Sequence, residues 1–153
     1  MRKEKVFFKF ERKKIGGVLY VPSGKGKFPA VIFVHGHGGG AHEVKNQVMC
    51  ESLAQEGFVT FLFDFYDKPN GLSEISIEDM TISLQLKILR KAVDFIALRK
   101  EVDSTRIGLT GHSLGGMTVL LYTPTDSRIK ALVAQSSVSQ FGKTKGTSLV
   151  DKP

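Results

Sequence analysis

The chain has a single cysteine among its 153 residues, so no intrachain disulfide can form and a reducing compartment such as the cytoplasm is expected. Cys50 lies inside a helical pattern and reads as a buried structural thiol. Long apolar runs are also missing. The most extended cover residues 30–34 and 58–63, far short of the roughly 20 residues that a membrane-spanning helix needs. The start, Met1-Arg2-Lys3-Glu4-Lys5, leads into a strand-like segment with no small-residue cleavage site, which argues against a signal peptide. A further scarcity bears on chemistry. The four histidines, His35, His37, His42 and His112, all lie in the first three quarters of the chain, and none follows residue 112.

Basic residues are plentiful by comparison. With 22 Lys and Arg against 15 Asp and Glu the net charge is +7, which raises the question of a nucleic-acid partner. These residues are scattered as Arg2 to Lys5, Arg12 to Lys14, Lys25, Lys27, Arg99, Lys100, Lys143 and Lys145, and no basic helix or aromatic motif organises them. Solvated faces account for them, so neither nucleic acid nor membrane is expected as a partner. A hydrophobic content of 41% with 24% charged residues is that of an ordinary globular protein, and residues 1–153 suffice for one domain with its own core.

Two β-rich runs, 6–10 and 15–21, flank Glu11-Arg12-Lys13-Lys14 and predict an antiparallel hairpin. Pro29 introduces the unbroken apolar stretch Ala30-Val31-Ile32-Phe33-Val34, typical of a strand buried on both faces. The glycine-rich segment Gly36-His37-Gly38-Gly39-Gly40 follows. Val44, Val48 and Leu53 then have helical spacing, with Gly57 placed to end the helix. Residues 58–63 form the next buried strand. Ser76-Ile77-Glu78-Asp79 has a capping-box pattern, predicting a helix with Met80, Leu84, Ile88, Ala92 and Phe95 along one stripe. A strand at 106–110, a helix at 117–122 stopped near Pro124, and a strand at 129–134 complete the order, and 140–153 is expected to be an irregular polar tail. This order predicts an α/β fold. It has a mostly parallel sheet of about six strands, an N-terminal antiparallel hairpin, and helices on both faces.

Between the strand at 106–110 and its helix stands Gly111-His112-Ser113-Leu114-Gly115-Gly116. Gly-x-Ser-x-Gly is a weak string alone, but a buried strand before it and a helix after it are the setting for an exposed nucleophilic serine. Gly111 and Gly115 leave room for a very tight turn, which would hold Ser113 in a strained backbone conformation. The helix start contributes positive potential and the N–H of Leu114, suited to a developing oxyanion. A serine that merely caps the helix is the competing reading.

The segments Phe28-Pro29-Ala30-Val31-Ile32-Phe33-Val34-His35-Gly36-His37-Gly38-Gly39, Phe63-Asp64-Phe65-Tyr66 and residues 103–116 resemble the α/β-hydrolase superfamily, in its dienelactone-hydrolase-like and acyl-peptidase-like serine esterase branches. The resemblance covers about residues 6–139. It implies acyl transfer through Ser113 on a small-molecule ester or related acyl substrate, with no cofactor. It also implies an oxyanion hole from the N–H groups of His37 and Leu114, supported by Gly111, Gly115, His35, Gly36 and Gly38. The stretch Asp67-Lys68-Pro69-Asn70-Gly71-Leu72-Ser73 departs from the family's usual Gly-x-Gly-x-Ser. Phe65 and Tyr66 could wall an acyl pocket, though core packing is the plainer reading.

The family orders its triad as serine, acid, histidine, with the last two after a seventh and an eighth strand. No histidine follows Ser113, and Asp126 and Asp151 stand at the wrong places for the acid. His112 is expected to point away from so sharp a turn, and His35 to be a structural hydrogen-bonder. The expectation is therefore a C-terminally truncated hydrolase of impaired activity, whose sixth strand is an exposed edge prone to self-association. A non-catalytic remnant with a ligand cleft is the alternative. A metal site from His35, His37, His42 and Glu43 is not expected, because glycines stand where such motifs place an aspartate.

Overall fold

In the computed structural model of the protein, which describes residues 1–67 and 71–138, the two N-terminal β-rich runs pair as a long hairpin. β1 (Arg2–Phe10) lies antiparallel to β2 (Lys13–Val21), with Arg2 opposite Val21 and Phe10 opposite Lys13. The remaining elements are β3 (Phe28–Val34), α1 (Val44–Gln55), β4 (Val59–Phe63), α2 (Ile82–Ala97), β5 (Val102–His112), α3 (Leu114–Tyr122) and β6 (Ile129–Gln135). They build a six-stranded sheet in the order β1-β2-β4-β3-β5-β6. The β1/β2 and β2/β4 pairs are antiparallel, and β4/β3, β3/β5 and β5/β6 are parallel. The expected α/β fold is observed.

Residue character explains which strands lie inside. β4 reads Val-Thr-Phe-Leu-Phe and is buried at every position, its one polar side chain satisfied by a hydrogen bond from Thr60 Oγ1 to the Cys50 carbonyl at 2.9 Å. One face carries the larger core, where Phe8, Phe61, Phe63 and Ile32 meet Ile88, Ala92 and Ile96 of α2 and Val119 of α3. The other face is covered by α1, with Cys50 and Ala54 against Val18, Tyr20, Phe33 and Leu62. Helices thus shield both faces.

Two helices differ from the sequence expectation. α1 occupies the predicted place, and Gly57 (φ +91°) follows it in the left-handed conformation of a helix terminator. Yet Val44 and Val48 are 75% and 53% exposed. The buried pair is Cys50 and Ala54, whose small side chains let the helix lie close on the sheet. For α2 the capping box at Ser76 closes only a single 3₁₀ turn, Ile77–Asp79, where Ser76 accepts the Glu78 N–H at 3.2 Å. The helix itself begins at Ile82 with Thr81 as its cap, accepting the Leu84 N–H at 3.1 Å. Met80 is buried but precedes the helix, and the buried stripe is Gln85, Ile88, Leu89, Ala92, Val93 and Ile96. The tail expected at 140–153, Asp151 and residues 68–70 of the departing loop lie outside the described residues.

The chain runs from β3 to β4 on one side, whereas β5 pairs on β3's other side. Strand order therefore reverses at β3, and the loops leaving β3 and β5 diverge from the same end of the sheet. A crevice at that end is where open α/β sheets bind ligands.

Candidate active site

Val34, the last residue of β3, is in register with Gly111 of β5, so the glycine-rich loop and the serine turn leave the sheet side by side. Ser113 has φ 54° and ψ −119°, a left-handed backbone that a non-glycine residue adopts only when its surroundings force it. The forcing is visible in the glycines. A Cβ on Gly111 would lie 2.3 Å from the Gly115 carbonyl oxygen. One on Gly115 would lie 2.1 Å from the carbonyl oxygen of Val34 and 2.6 Å from that of His35. β5, α3 and the end of β3 therefore touch backbone to backbone. The Ser113 N–H donates to the Gln135 carbonyl at 3.0 Å, and its carbonyl accepts the Met117 N–H at 3.2 Å. Ser113 holds the N-cap position of α3, yet its side chain makes no capping hydrogen bond. A plain helix cap does not describe it. The N–H of Leu114, in the unpaired first turn of α3, has no acceptor among the described residues.

The loop after β3 closes against this turn. A Cβ on Gly36 would come within 3.0 Å of the His112 carbonyl oxygen and 3.1 Å of the Ser113 Cβ. The Gly39 N–H returns to the Gly36 carbonyl at 3.0 Å. Two side chains from the turn after β4 take further loop amides: Gly38 N–H donates to Tyr66 Oη at 2.6 Å, and Ala41 N–H donates to Asp64 Oδ1 at 2.6 Å. Asp64 and Tyr66 are 1% and 2% exposed. Burial raises the Tyr66 phenol above its ordinary pKa, against the opposing pull of the Gly38 N–H, so it stays neutral. The N–H of His37 has no acceptor among the described residues.

His35 is buried, and both of its ring nitrogens are engaged. Nε2 accepts the Phe65 N–H at 3.1 Å, which leaves the proton on Nδ1, 2.8 Å from the Gly36 carbonyl. Its ring meets Phe65 and Tyr66 edge-on at 5.2 and 5.4 Å. His112, expected to point away from the turn, is among the residues around the neighbouring cleft. It lines, with Ser113, His37, Glu43, Asn46 and Met49, a cleft of about 120 Å³ between the loop, the serine turn and α1. Within it Glu43 accepts from Asn46 Nδ2 at 2.8 Å and pairs with Lys45 at 3.7 Å. Phe65 and Tyr66 are core residues and do not line the cleft. Among the described residues no three His, Cys, Asp or Glu side chains are grouped to hold a metal ion.

Sequence reasoning named Ser113, Leu114, His37 and the glycines around them; of these Ser113, His37, His35, Gly36 and Gly111 line one cleft, while Leu114, Gly115 and Gly38 stand next to it in the chain without lining it. It did not single out Asp64 and the Tyr66 hydroxyl. The only signal was a pair of polar groups directly after a largely apolar strand.

Comparison with known proteins gives this geometry a context. The model of the dienelactone hydrolase family matches residues 15–144. The peroxisomal succinyl-coenzyme A thioesterase of Mus musculus is 28% identical over 121 residues, 79% of this chain and 26% of that protein. Acyl-coenzyme A thioesterase 1 of Homo sapiens is 29% identical over 143 residues, 89% of this chain and 31% of that protein. Among solved structures, Est1E from Butyrivibrio proteoclasticus with ferulic acid bound superposes with a TM-score of 0.78 at 28% identity, covering 86% of this chain and 52% of that one. The chain thus spans about a third or less of these thioesterases and about half of Est1E.

Proposed function

This chain belongs to the dienelactone hydrolase family, and from that premise we propose that it carries the nucleophilic half of a serine hydrolase for small ester or thioester substrates. The observation that carries this reading is the backbone of Ser113. A left-handed serine, locked by glycine contacts at a cleft lined by His37, with the uncommitted Leu114 N–H next in the chain, has no evident structural purpose. In the reaction Ser113 Oγ bonds to the substrate carbonyl carbon, and the carbonyl oxygen becomes an oxyanion that accepts from the His37 and Leu114 N–H groups. Collapse breaks the bond to the leaving alcohol or thiol, which takes up a proton. Water then attacks the acyl-serine, releasing the acid and restoring the hydroxyl. The scheme uses no cofactor.

The serine proton needs a base, and none of the four histidines follows Ser113. His35 has both nitrogens engaged in the loop. We assign the base and its acid partner to sequence outside these 153 residues, in keeping with the greater length of the relatives. Oxyanion stabilisation and binding alone leave a residual rate, so this chain is expected to react slowly. A fluorophosphonate probe tests this, because Oγ–P bond formation expels fluoride and marks the serine. Slow labelling that is lost in Ser113→Ala, and fast labelling of a chain of the relatives' length, are expected. An extended chain left unlabelled at Ser113 would overturn the hydrolase reading in favour of a non-catalytic binding remnant. Full turnover by the 153-residue chain would overturn the missing base.

A cytoplasmic setting and self-association complete the reading. Burial pushes the Cys50 thiol up to about 12, which suits an unreactive structural cysteine, and a lone cysteine with no disulfide partner is in keeping with the cytoplasmic setting. No helix among the described residues is long and apolar enough to cross a membrane. Among the described residues β6 ends the sheet, with Val133 53% exposed, and self-association through this edge is expected to appear as concentration-dependent sedimentation.

A further inference from the structure

We propose that Asp64 and Tyr66 are positioning residues that set the oxyanion geometry by holding the loop at residues 36–41; the inference rests on the hydrolase reading of Ser113. A segment with glycine at 36, 38, 39 and 40 has wide conformational freedom, and fixing its backbone costs entropy at every residue. Something must hold it. The holding groups come from the turn after β4. Asp64 Oδ1 takes the Ala41 N–H at 2.6 Å while Oδ2 takes the Leu72 N–H at 3.0 Å, so one carboxylate ties two loops together. The carboxylate's own backbone is anchored as well. Asp64 N–H donates to the Gly16 carbonyl at 2.9 Å, and its carbonyl accepts from Ser73 Oγ, which in turn accepts the Gly16 N–H at 3.0 Å. Leu72 is packed so closely that a Cβ on Gly16 would lie 2.3 Å from the Leu72 Cβ.

Tyr66 supplies the second tie through the Gly38 N–H, its ring held edge-on to His35. The consequence is a sorting of donors. Gly38, Gly39 and Ala41 each commit their N–H inside the protein, and His37 between them keeps its own for the cleft. The hydroxyl and the carboxylate never touch substrate. They decide which amide the substrate meets.

Tyr66→Phe deletes one oxygen and keeps the ring. With a fluorophosphonate, the maximal inactivation rate is expected to fall about tenfold with the probe's half-saturation concentration unchanged. An oxyanion contact is made in the transition state and not in the encounter complex, and losing a donor outright costs about 10²–10³. The Gly38 amide should exchange with solvent at least about tenfold faster. Asp64→Asn, which retains an oxygen acceptor for Ala41, is expected to react faster than Asp64→Ala. Unchanged inactivation rates in Tyr66→Phe, or a loss confined to probe binding, would overturn the proposal. If wild-type Ser113 is not labelled at all, the hydrolase reading falls, and Gly38 exchange alone then decides the clamp. Unchanged exchange in Tyr66→Phe refutes it.

Discussion

The two walls of the cleft are built on opposite plans. The serine turn is held by contacts among its own neighbours. Gly111, Gly115 and the end of β3 meet backbone to backbone, and Ser113 takes up the strain in a φ of 54°. The facing loop is tight at Gly36 and Gly39, where a Cβ would lie 3.0–3.1 Å from its neighbours, but open at Gly38 between them. A Cβ on Gly38 would meet nothing within 4 Å, and the loop owes its shape to side chains reaching in from beyond β4. One wall is rigid because its atoms have nowhere else to go. The other is rigid because buried acceptors claim its amides. Both plans present an N–H at a fixed place, but they fail differently, and substitution separates them.

The largest effect belongs to the serine turn. Gly115→Ala places a methyl 2.1 Å from the Val34 carbonyl oxygen, and the obstruction is backbone that cannot step aside. Overpacking of this kind costs about 1–3 kcal/mol or more, and the upper end is expected because two strands and a helix would have to part. Urea denaturation should show a lower midpoint with an unchanged slope. A stable Gly115→Ala protein would mean that the close contacts are not what holds the turn.

Ser113→Gly works in the opposite direction. A non-glycine residue in such a region carries about 1–3 kcal/mol of strain. Glycine removes it while adding about 0.4–1 kcal/mol of freedom to the unfolded chain, for a net gain of about 1 kcal/mol. The denaturation midpoint should rise while all probe labelling is lost. A destabilised Ser113→Gly would place the strain elsewhere and weaken the case that it is kept for chemistry.

The same contrast explains how far the sequence could be read. The serine turn is local: glycine, serine and glycine two residues apart, between an apolar strand and a helix, describe their own geometry. The hairpin, the buried strands and their mixed pairing were legible for a similar reason, since period and turn residues sit within one segment. The loop's anchors were not, because Asp64 and Tyr66 reach residues 23 and 28 positions earlier in the chain. Tyr66 was rightly placed in the core by its apolar ring. Its hydroxyl partner is invisible until β3 and β4 lie side by side. α1 shows a similar limit from packing, since the Val44 and Val48 spacing is helical but Cys50 and Ala54 face the sheet. There, closeness of approach outweighed hydrophobicity.

The smallest effect is expected where the loop is most open. Gly38 has φ +74°, so alanine pays for a left-handed conformation, roughly 1–2 kcal/mol. It meets no atom, and a less flexible unfolded chain returns about 0.4–1 kcal/mol. The net cost of Gly38→Ala should be about 0.5–1 kcal/mol, well below that of Gly115→Ala at the facing wall. Because Tyr66 still accepts the residue-38 N–H, labelling of Ser113 should slow less than in Tyr66→Phe, and the residue-38 amide should remain protected. If Gly38→Ala instead matched Gly115→Ala in stability, the loop would be held by close packing after all, and the two walls would share one plan.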